Sequence, residues 1–205
     1  DVAGGATITL TNVDITGSGQ LGVNAHGVAG LTLQGSSIAN AGNGTDESGL
    51  RLDDATGAVV IDTTTVSGSA DRNALVQSSS GALNLTVSGS TFSNTSATTG
   101  GDGFDLRAGG DADLTATLTG PTFTQNRLDG FSFDLSGAAT VNLTLDGATV
   151  QSNNLGVNMT LAGSGALDFA ITNSSFSNET SSPINVFTSD TDTPAVTGAI
   201  DDNTI

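Results

Sequence analysis

Leu83-Asn84-Leu85-Thr86-Val87-Ser88-Gly89-Ser90-Thr91-Phe92 places apolar residues at its first, third, fifth and tenth positions. Alternation of this kind over five residues reads as a half-buried β-strand. The same ten-place pattern recurs along the chain, ending at Ile15, Ile38, Val66, Phe92, Phe123, Val150, Phe176 and Ile205. The ninth place is Thr or Ser in every copy except the one holding Asp14. The seventh holds Asn12, Gly35, Thr63, Gly89, Gly120, Gly147, Asn173 and Asp202, mostly residues that tolerate the left-handed backbone of a corner. Successive copies are 23 to 31 residues apart, and self-similarity at such a period signals a solenoid.

A second alternating stretch precedes each copy after a polar turn, as in Gly103-Phe104-Asp105-Leu106-Arg107 and Gly130-Phe131-Ser132-Phe133-Asp134-Leu135. The expectation is two strands per turn of about 27 residues, stacked in parallel about 4.8 Å apart, with like residues on like. No helical pattern appears. Residues 1–205 then form a single rod of about seven to eight turns, built on one apolar interior. Phe92 should stack on Phe123 and Phe104 on Phe131, with Phe133 and Phe176 also in the core. Phe187 alone falls out of phase and is expected to be exposed.

Composition narrows the function. There are 21 acidic residues against four arginines and no lysine, a formal charge of −17. A nucleic-acid binder is excluded, because nothing here replaces the counterions around phosphates. Docking on anionic lipid by a basic face is excluded on the same ground, and no apolar run reaches membrane-spanning length. The chain has no cysteine, so neither disulfides nor thiolate metal sites are available. It opens at Asp1 without a basic segment and apolar core, so it reads as a mature or excised segment. The Gly/Ser/Thr/Asn/Asp-rich composition suggests an extracellular or cell-surface bacterial protein.

Ser90-Thr91-Phe92-Ser93-Asn94 and Ser174-Ser175-Phe176-Ser177-Asn178 resemble the turn of right-handed parallel β-helix proteins. That group includes the pectate-lyase-like superfamily and autotransporter-type bacterial surface proteins. The resemblance covers the whole chain and implies an all-β, right-handed, single-stranded parallel β-helix. It also implies an internal asparagine ladder two places past the last inward residue, where Asn40, Asn94 and Asn178 stand. Gly17, Gly68, Gln125 and Ser152 interrupt that row. The fold hosts lyases, hydrolases, adhesins and inert spacers alike, so activity must be argued from sites.

Polysaccharide cleavage needs paired carboxylates around one sugar bond, or a basic residue with calcium. The best local cluster is Arg107 with Asp105 and, one turn later, Asp134; Arg51 with Asp53 and Asp54 lies two turns earlier. Stacked charges of opposite sign on an exposed sheet also arise simply to avoid repulsion, which is the favoured explanation. Sugar platforms are poorly supplied, since the chain has no Trp or Tyr. Gly100-Gly101-Asp102-Gly103-Phe104-Asp105 resembles one nonapeptide of calcium-binding β-rolls, restarted at Gly109-Gly110-Asp111. Asp102, Asp105, Asp111 and Asp113 are therefore the candidate Ca²⁺ ligands, against the alternative of solvated loop. Arg107 stands where that motif needs an apolar residue. His26, the only histidine, has no second histidine or cysteine and reads as a surface residue.

A row at the fourth place, Thr9, Thr32, Val60, Thr86, Thr117, Thr144, Ala170 and Ala199, is a broken threonine ladder of the kind that ice-binding solenoids present. Threonine is also a good strand former that pairs with itself. The two ends offer apolar rows, Ala6, Ile8, Leu10 and Ile15 at one and Val196, Ile200 and Ile205 at the other. These are expected to meet other copies head to tail, or the rest of a longer chain. The longest excursions, 39–49 and 93–103, share a corner two turns apart. The sequence thus points to a non-catalytic structural or adhesive β-helix, the shaft or subunit of a surface adhesin, sheath or filament. Polysaccharide binding or degradation, with glycans as partners, is the alternative, and an ice-binding surface a third reading.

Overall fold

Strand follows strand in a fixed order, and each hydrogen-bonds its counterpart one turn away. The computed structural model describes residues 2–96, 100–189, 191 and 193–205; residues 97–99 of the 93–103 excursion lie outside the described residues. The strands form three parallel sheets. The first has eight strands, from Val2–Ala3 to Ile184–Thr188, and the second eight, from Thr7–Thr11 to Ala195–Asp201. The third has seven short strands, from Asp14–Thr16 to Ser175–Ser177. One turn, for example, runs Ala74–Ser78, Ala82–Ser88, Thr91–Ser93. Each turn therefore has three strands, not the two expected. The ten-place pattern is itself two strands meeting at a corner, and a three-residue strand shows only one inward residue, too little for a periodicity to register.

That corner is made by the seventh place. All eight residues there have positive φ, between 46° at Thr63 and 65° at Gly147. Gly and Asn adopt this conformation at little cost, which is why they dominate the position. A second left-handed row lies two places past the last inward residue: Gly17, Asn40, Gly68, Asn94, Gln125, Ser152 and Asn178. Asn40, Asn94 and Asn178 are exposed. The asparagine ladder expected on these three does not form; the conformation of the corner selects them instead.

A buried asparagine ladder lies one residue further on at Asn126 and Asn153, joined by Asn73 from an earlier corner. Asn126 Nδ2 donates to Asn153 Oδ1 at 3.1 Å, and Asn73 Nδ2 reaches across the long turn to Asn126 Oδ1 at 3.1 Å. The same three amides donate to the carbonyls of Ser93, Phe92 and Phe123. All three side chains are essentially buried. Such groups persist in an apolar interior only when paired. A second polar ladder fills the corner between the second and third sheets. There Val13 N donates to Ser36 Oγ, Ser36 N to Thr64 Oγ1, and Thr64 N to Ser90 Oγ. It breaks at Pro121, whose side chain has no oxygen to accept and whose nitrogen has no hydrogen to donate, and resumes from Ala148 N to Ser174 Oγ and from Ser174 N to Asn203 Oδ1.

Between the ladders the interior is apolar. Phe92 and Phe123 are register partners in the third sheet, as are Phe104 and Phe131 in the first. Their rings form a closed set with centroids 5.0 to 6.0 Å apart. Phe133 and Phe176 are also buried, whereas Phe187 is 57 % exposed. Gly198 stands over Phe169 so closely that a Cβ there would lie 2.1 Å from the ring.

Candidate functional site

The outer face of the first sheet carries Arg51, Asp53, Asp105, Arg107 and Asp134. Register places Asn24, Arg51, Leu75, Asp105, Ser132, Asn158 and Asn185 in one outward row. Beside it run His26, Asp53, Gln77, Arg107, Asp134, Thr160 and Phe187. Arg107 and Asp134 are direct register partners, with Arg107 Nε 3.6 Å from Asp134 Oδ2.

Asp105 is the hub. Although it points outward it is only 1 % exposed, because Arg72 and Arg107 close over it. Arg72 Nε donates to Asp105 Oδ2 at 2.6 Å, and Arg107 Nη2 to the same oxygen at 2.6 Å. Arg72 comes from the corner that enters the strand Ala74–Ser78. It also pairs with Asp71 and lies 3.8 Å from both Asp46 and Asp102. Asp102 Oδ1 accepts from the backbone N–H of Asp129 at 3.1 Å. A side-chain chain continues outward, Asn185 Nδ2 to Asn158 Oδ1 and Asn158 Nδ2 to Asp129 Oδ2, each 2.8 Å.

Asp71, Asp102, Asp105 and Asp134 therefore share two guanidinium groups, and Asp129, bonded to Asn158, lies beside them. Burial pushes the Asp102 carboxyl up to about 7, and repulsion from Asp105 adds to it. Asp71, Asp129 and Asp134 are also raised, chiefly by burial. The bonds from Asp105 hold the Arg107 guanidinium above its ordinary value. Sequence reading identified Asp105, Arg107 and Asp134. It missed Arg72, Asp71 and Asp129, which stand in or beside corners outside the repeated pattern. The only signal was the run Asp71-Arg72 beside a short excursion.

Next to this cluster an open groove of about 510 Å³ is lined by Asp54, Gln77, Ser79, Arg107, Asp134 and Thr160, among others. Ser79 Oγ donates to Asp54 Oδ1 at 2.6 Å. Arg51 pairs with Asp53 at 2.8 Å but is separated from Asp105 in its row by the buried Leu75. The two arginine clusters of the sequence are thus distinct.

The four candidate calcium ligands do not converge. Asp102 and Asp105 belong to the arginine-bound cluster, while Asp111 and Asp113 are exposed beyond the opposite end of the strand Phe104–Ala108. Five strand residues span about 17 Å. Among the described residues no group of three or more His, Asp or Glu is placed to hold a metal ion.

On the second sheet, Thr9, Thr32, Val60, Thr86, Thr117, Thr144, Ala170 and Ala199 form one continuous outward row. Asp62 and Asp146 flank it. Their carboxyls are held below the usual range by side-chain hydrogen bonds, from Ser88 and Gln34 to the first and from Asn173 and Thr172 to the second. At the ends, Ala6, Ile8, Leu10 and Ile15 are partly buried. Val196, Ile200 and Ile205 are 41 %, 49 % and 76 % exposed.

No match emerged among curated proteins or among solved structures. A family model described as the right handed beta helix region matches residues 1–155, and the three-sheet coil continues without a break through the remaining strands to Ala195–Asp201. With most of its length matched and every described strand stacked in parallel, the chain belongs to the right-handed parallel β-helix family.

Proposed function

We propose that this β-helix is a non-catalytic structural or adhesive element outside a bacterial cell, the shaft or a subunit of a surface adhesin, sheath or filament. The observation that carries the reading is the closure of the centre of the charged cluster, at Asp105 and Asp102, Asp134 alone among its carboxyls facing the groove. Asp105 has both guanidinium groups on it and 1 % of its surface free. A general acid or nucleophile must reach its substrate, and Asp102, the carboxyl tuned toward neutrality, is itself 7 % exposed. Arg51, Arg72 and Arg107 are each bound to an aspartate, as expected of charges that knit a scaffold together. Incubating the protein with pectin, alginate and neutral plant and bacterial glycans, and measuring new reducing or unsaturated ends, should give no turnover. Any sustained turnover by the intact chain would sink this reading.

The apolar places at the two ends support a longitudinal arrangement. A second copy, or further chain, laid on Val196, Ile200 and Ile205 would continue both the strand ladder and the core. The charge of −17 opposes approach of copies, so stacking should strengthen with salt. Electron microscopy at high concentration and salt should show lengthened rods, shortened again by Ile200→Asp. Rods that stay single under those conditions would remove the filament and leave the shaft.

One observation favours a second reading. The groove beside Arg107 and Asp134 is open, polar and large enough for a sugar unit or two. On that reading Arg107→Ala would abolish binding of an immobilised oligosaccharide, whereas a structural rod would bind none of a broad glycan panel.

A further inference from the structure

We propose that the aspartates around Arg72 and Arg107 form a proton-loaded clasp. It ties the corner at Asp71–Asn73 to the strands Phe104–Ala108 and Asp129–Leu135, and it loosens when the buried carboxyl of Asp102 loses its proton.

The geometry is that of a cluster short of positive charge. Five carboxyls converge from three turns: Asp71 on the corner, Asp102 and Asp105 before and within one strand, Asp129 and Asp134 at the start and interior of the next. Arg72 and Arg107 are the cations within it. Asp46, 80 % exposed, stands at its rim, and the exposed Arg127 backs Gly101, where a Cβ would lie 2.9 Å from that of Arg127. With all five ionised the cluster would carry three more negative charges than Arg72 and Arg107 compensate, and Asp71, Asp102 and Asp105 are nearly buried, although the Asp134 side chain is 42 % exposed. Retaining one proton relieves much of that repulsion. Asp102 is the carrier the geometry selects. Its Oδ2 is 3.8 Å from Arg72 Nε, while Asp105 takes the same Nε at 2.6 Å. The upward displacement of Asp102, to about 7, agrees with this placement.

Losing the proton to solvent leaves Asp102 and Asp105 competing for Arg72. Arg72 is drawn from Asp105 toward Asp102, Asp105 leans further on Arg107, and the hold of Arg107 on the groove wall changes with it. The cluster thus makes the middle of the outer face responsive to pH near neutrality, independently of what the groove binds.

The test uses the full chain. Carbon-detected carboxyl titration should give Asp102 a midpoint near 7, well above the ordinary carboxylate range. Hydrogen exchange, corrected for its intrinsic pH dependence, should show protection of residues 100–108 and 126–135 falling several-fold between about pH 6 and about pH 8.5. Residues 140–150 should not change. Asp102→Asn should keep the fold and remove the difference. The clasp is overturned if Asp102 titrates with the ordinary carboxylates, or if protection falls equally in both regions. Should the variant fail to fold, the titration of the unsubstituted chain decides alone.

Discussion

Phe92 and Phe123 lie one turn apart with ring centroids 5.7 Å apart and planes 22° from parallel, and Phe104 meets Phe92 edge-on at 5.0 Å. Phe131 closes the set against both Phe104 and Phe123. Four fully buried rings thus lock two consecutive turns across two sheets. Truncating Phe123 to Ala should cost about 3–5 kcal/mol, the range for removing a buried aromatic. The effect should appear in a denaturant or thermal melt as loss of the middle turns. A change below about 1 kcal/mol would mean that the set repacks and does not organise the core.

At the seventh place, backbone conformation and not contact should decide the outcome of substitution. A Cβ on Gly89 would meet only Thr63 Cγ2, at 3.8 Å, so Gly89→Ala should cost only the left-handed strain, about 1–2 kcal/mol. Thr63, β-branched at φ 46°, is the worst-suited residue in the row. Thr63→Gly should therefore stabilise by about 1 kcal/mol. Gly49 is the contrast: its Cβ would lie 2.4 Å from Val66 Cγ1 and 2.8 Å from the Asn73 carbonyl. Gly49→Ala should cost about 3 kcal/mol or more. Melting temperatures of the three variants, ranked in this order, check the argument; equal effects at Gly89 and Gly49 would refute it.

Asn126 is the centre of the buried ladder, bonded to Asn73, Asn153 and the Phe92 carbonyl. Its replacement by Ala removes three side-chain bonds, although Asn153 Oδ1 keeps the residue-126 N–H and Asn73 Nδ2 keeps the Ser93 carbonyl; a buried group left unpaired costs about 1–3 kcal/mol. Asn126→Asp keeps the acceptor but not the donors, and buries a carboxylate. It should be the worse of the two at neutral pH and recover on acidification. A melt series of both variants at two pH values separates hydrogen bonding from shape.

What the sequence revealed and what it hid divides along one line. Positions fixed by alternation or by a left-handed backbone were legible: the Phe pairs, the threonine row, the eight seventh-place corners. Asn40, Asn94 and Asn178 misled because an exposed left-handed corner and a buried amide ladder both favour asparagine. The true ladder position reads Ser69, Thr95, Asn126, Asn153 along successive turns, too varied to stand out. Arg72 was invisible because corners of unequal length carry no periodicity, and only folding brings it onto Asp105. Asp111 and Asp113 were grouped with Asp102 by sequence spacing, but a strand runs between them.

The same cluster should invert the usual response of stability to acid. A carboxyl raised on folding contributes stability that is fully present below its unfolded value, 3.8 for Asp102, and is lost as pH rises through its folded value of about 7. Asp71, Asp129 and Asp134, also raised, act in the same direction. The depressed carboxyls Asp62 and Asp146 act oppositely, losing their contribution only as pH falls below about 4; both are hydrogen-bonded on the surface, where such contributions are small. The melting temperature should therefore peak at about pH 4 and decline until about pH 7. At about 1.4 kcal/mol per pH unit for one group, the loss through Asp102 is on the order of 4 kcal/mol. Asp102→Asn should melt higher than the parent at about pH 8 and equal it near about pH 4.5. A parent melting curve that rises steadily from acid to neutral pH would show that the cluster ionises without penalty, and that its arginines compensate all five carboxylates.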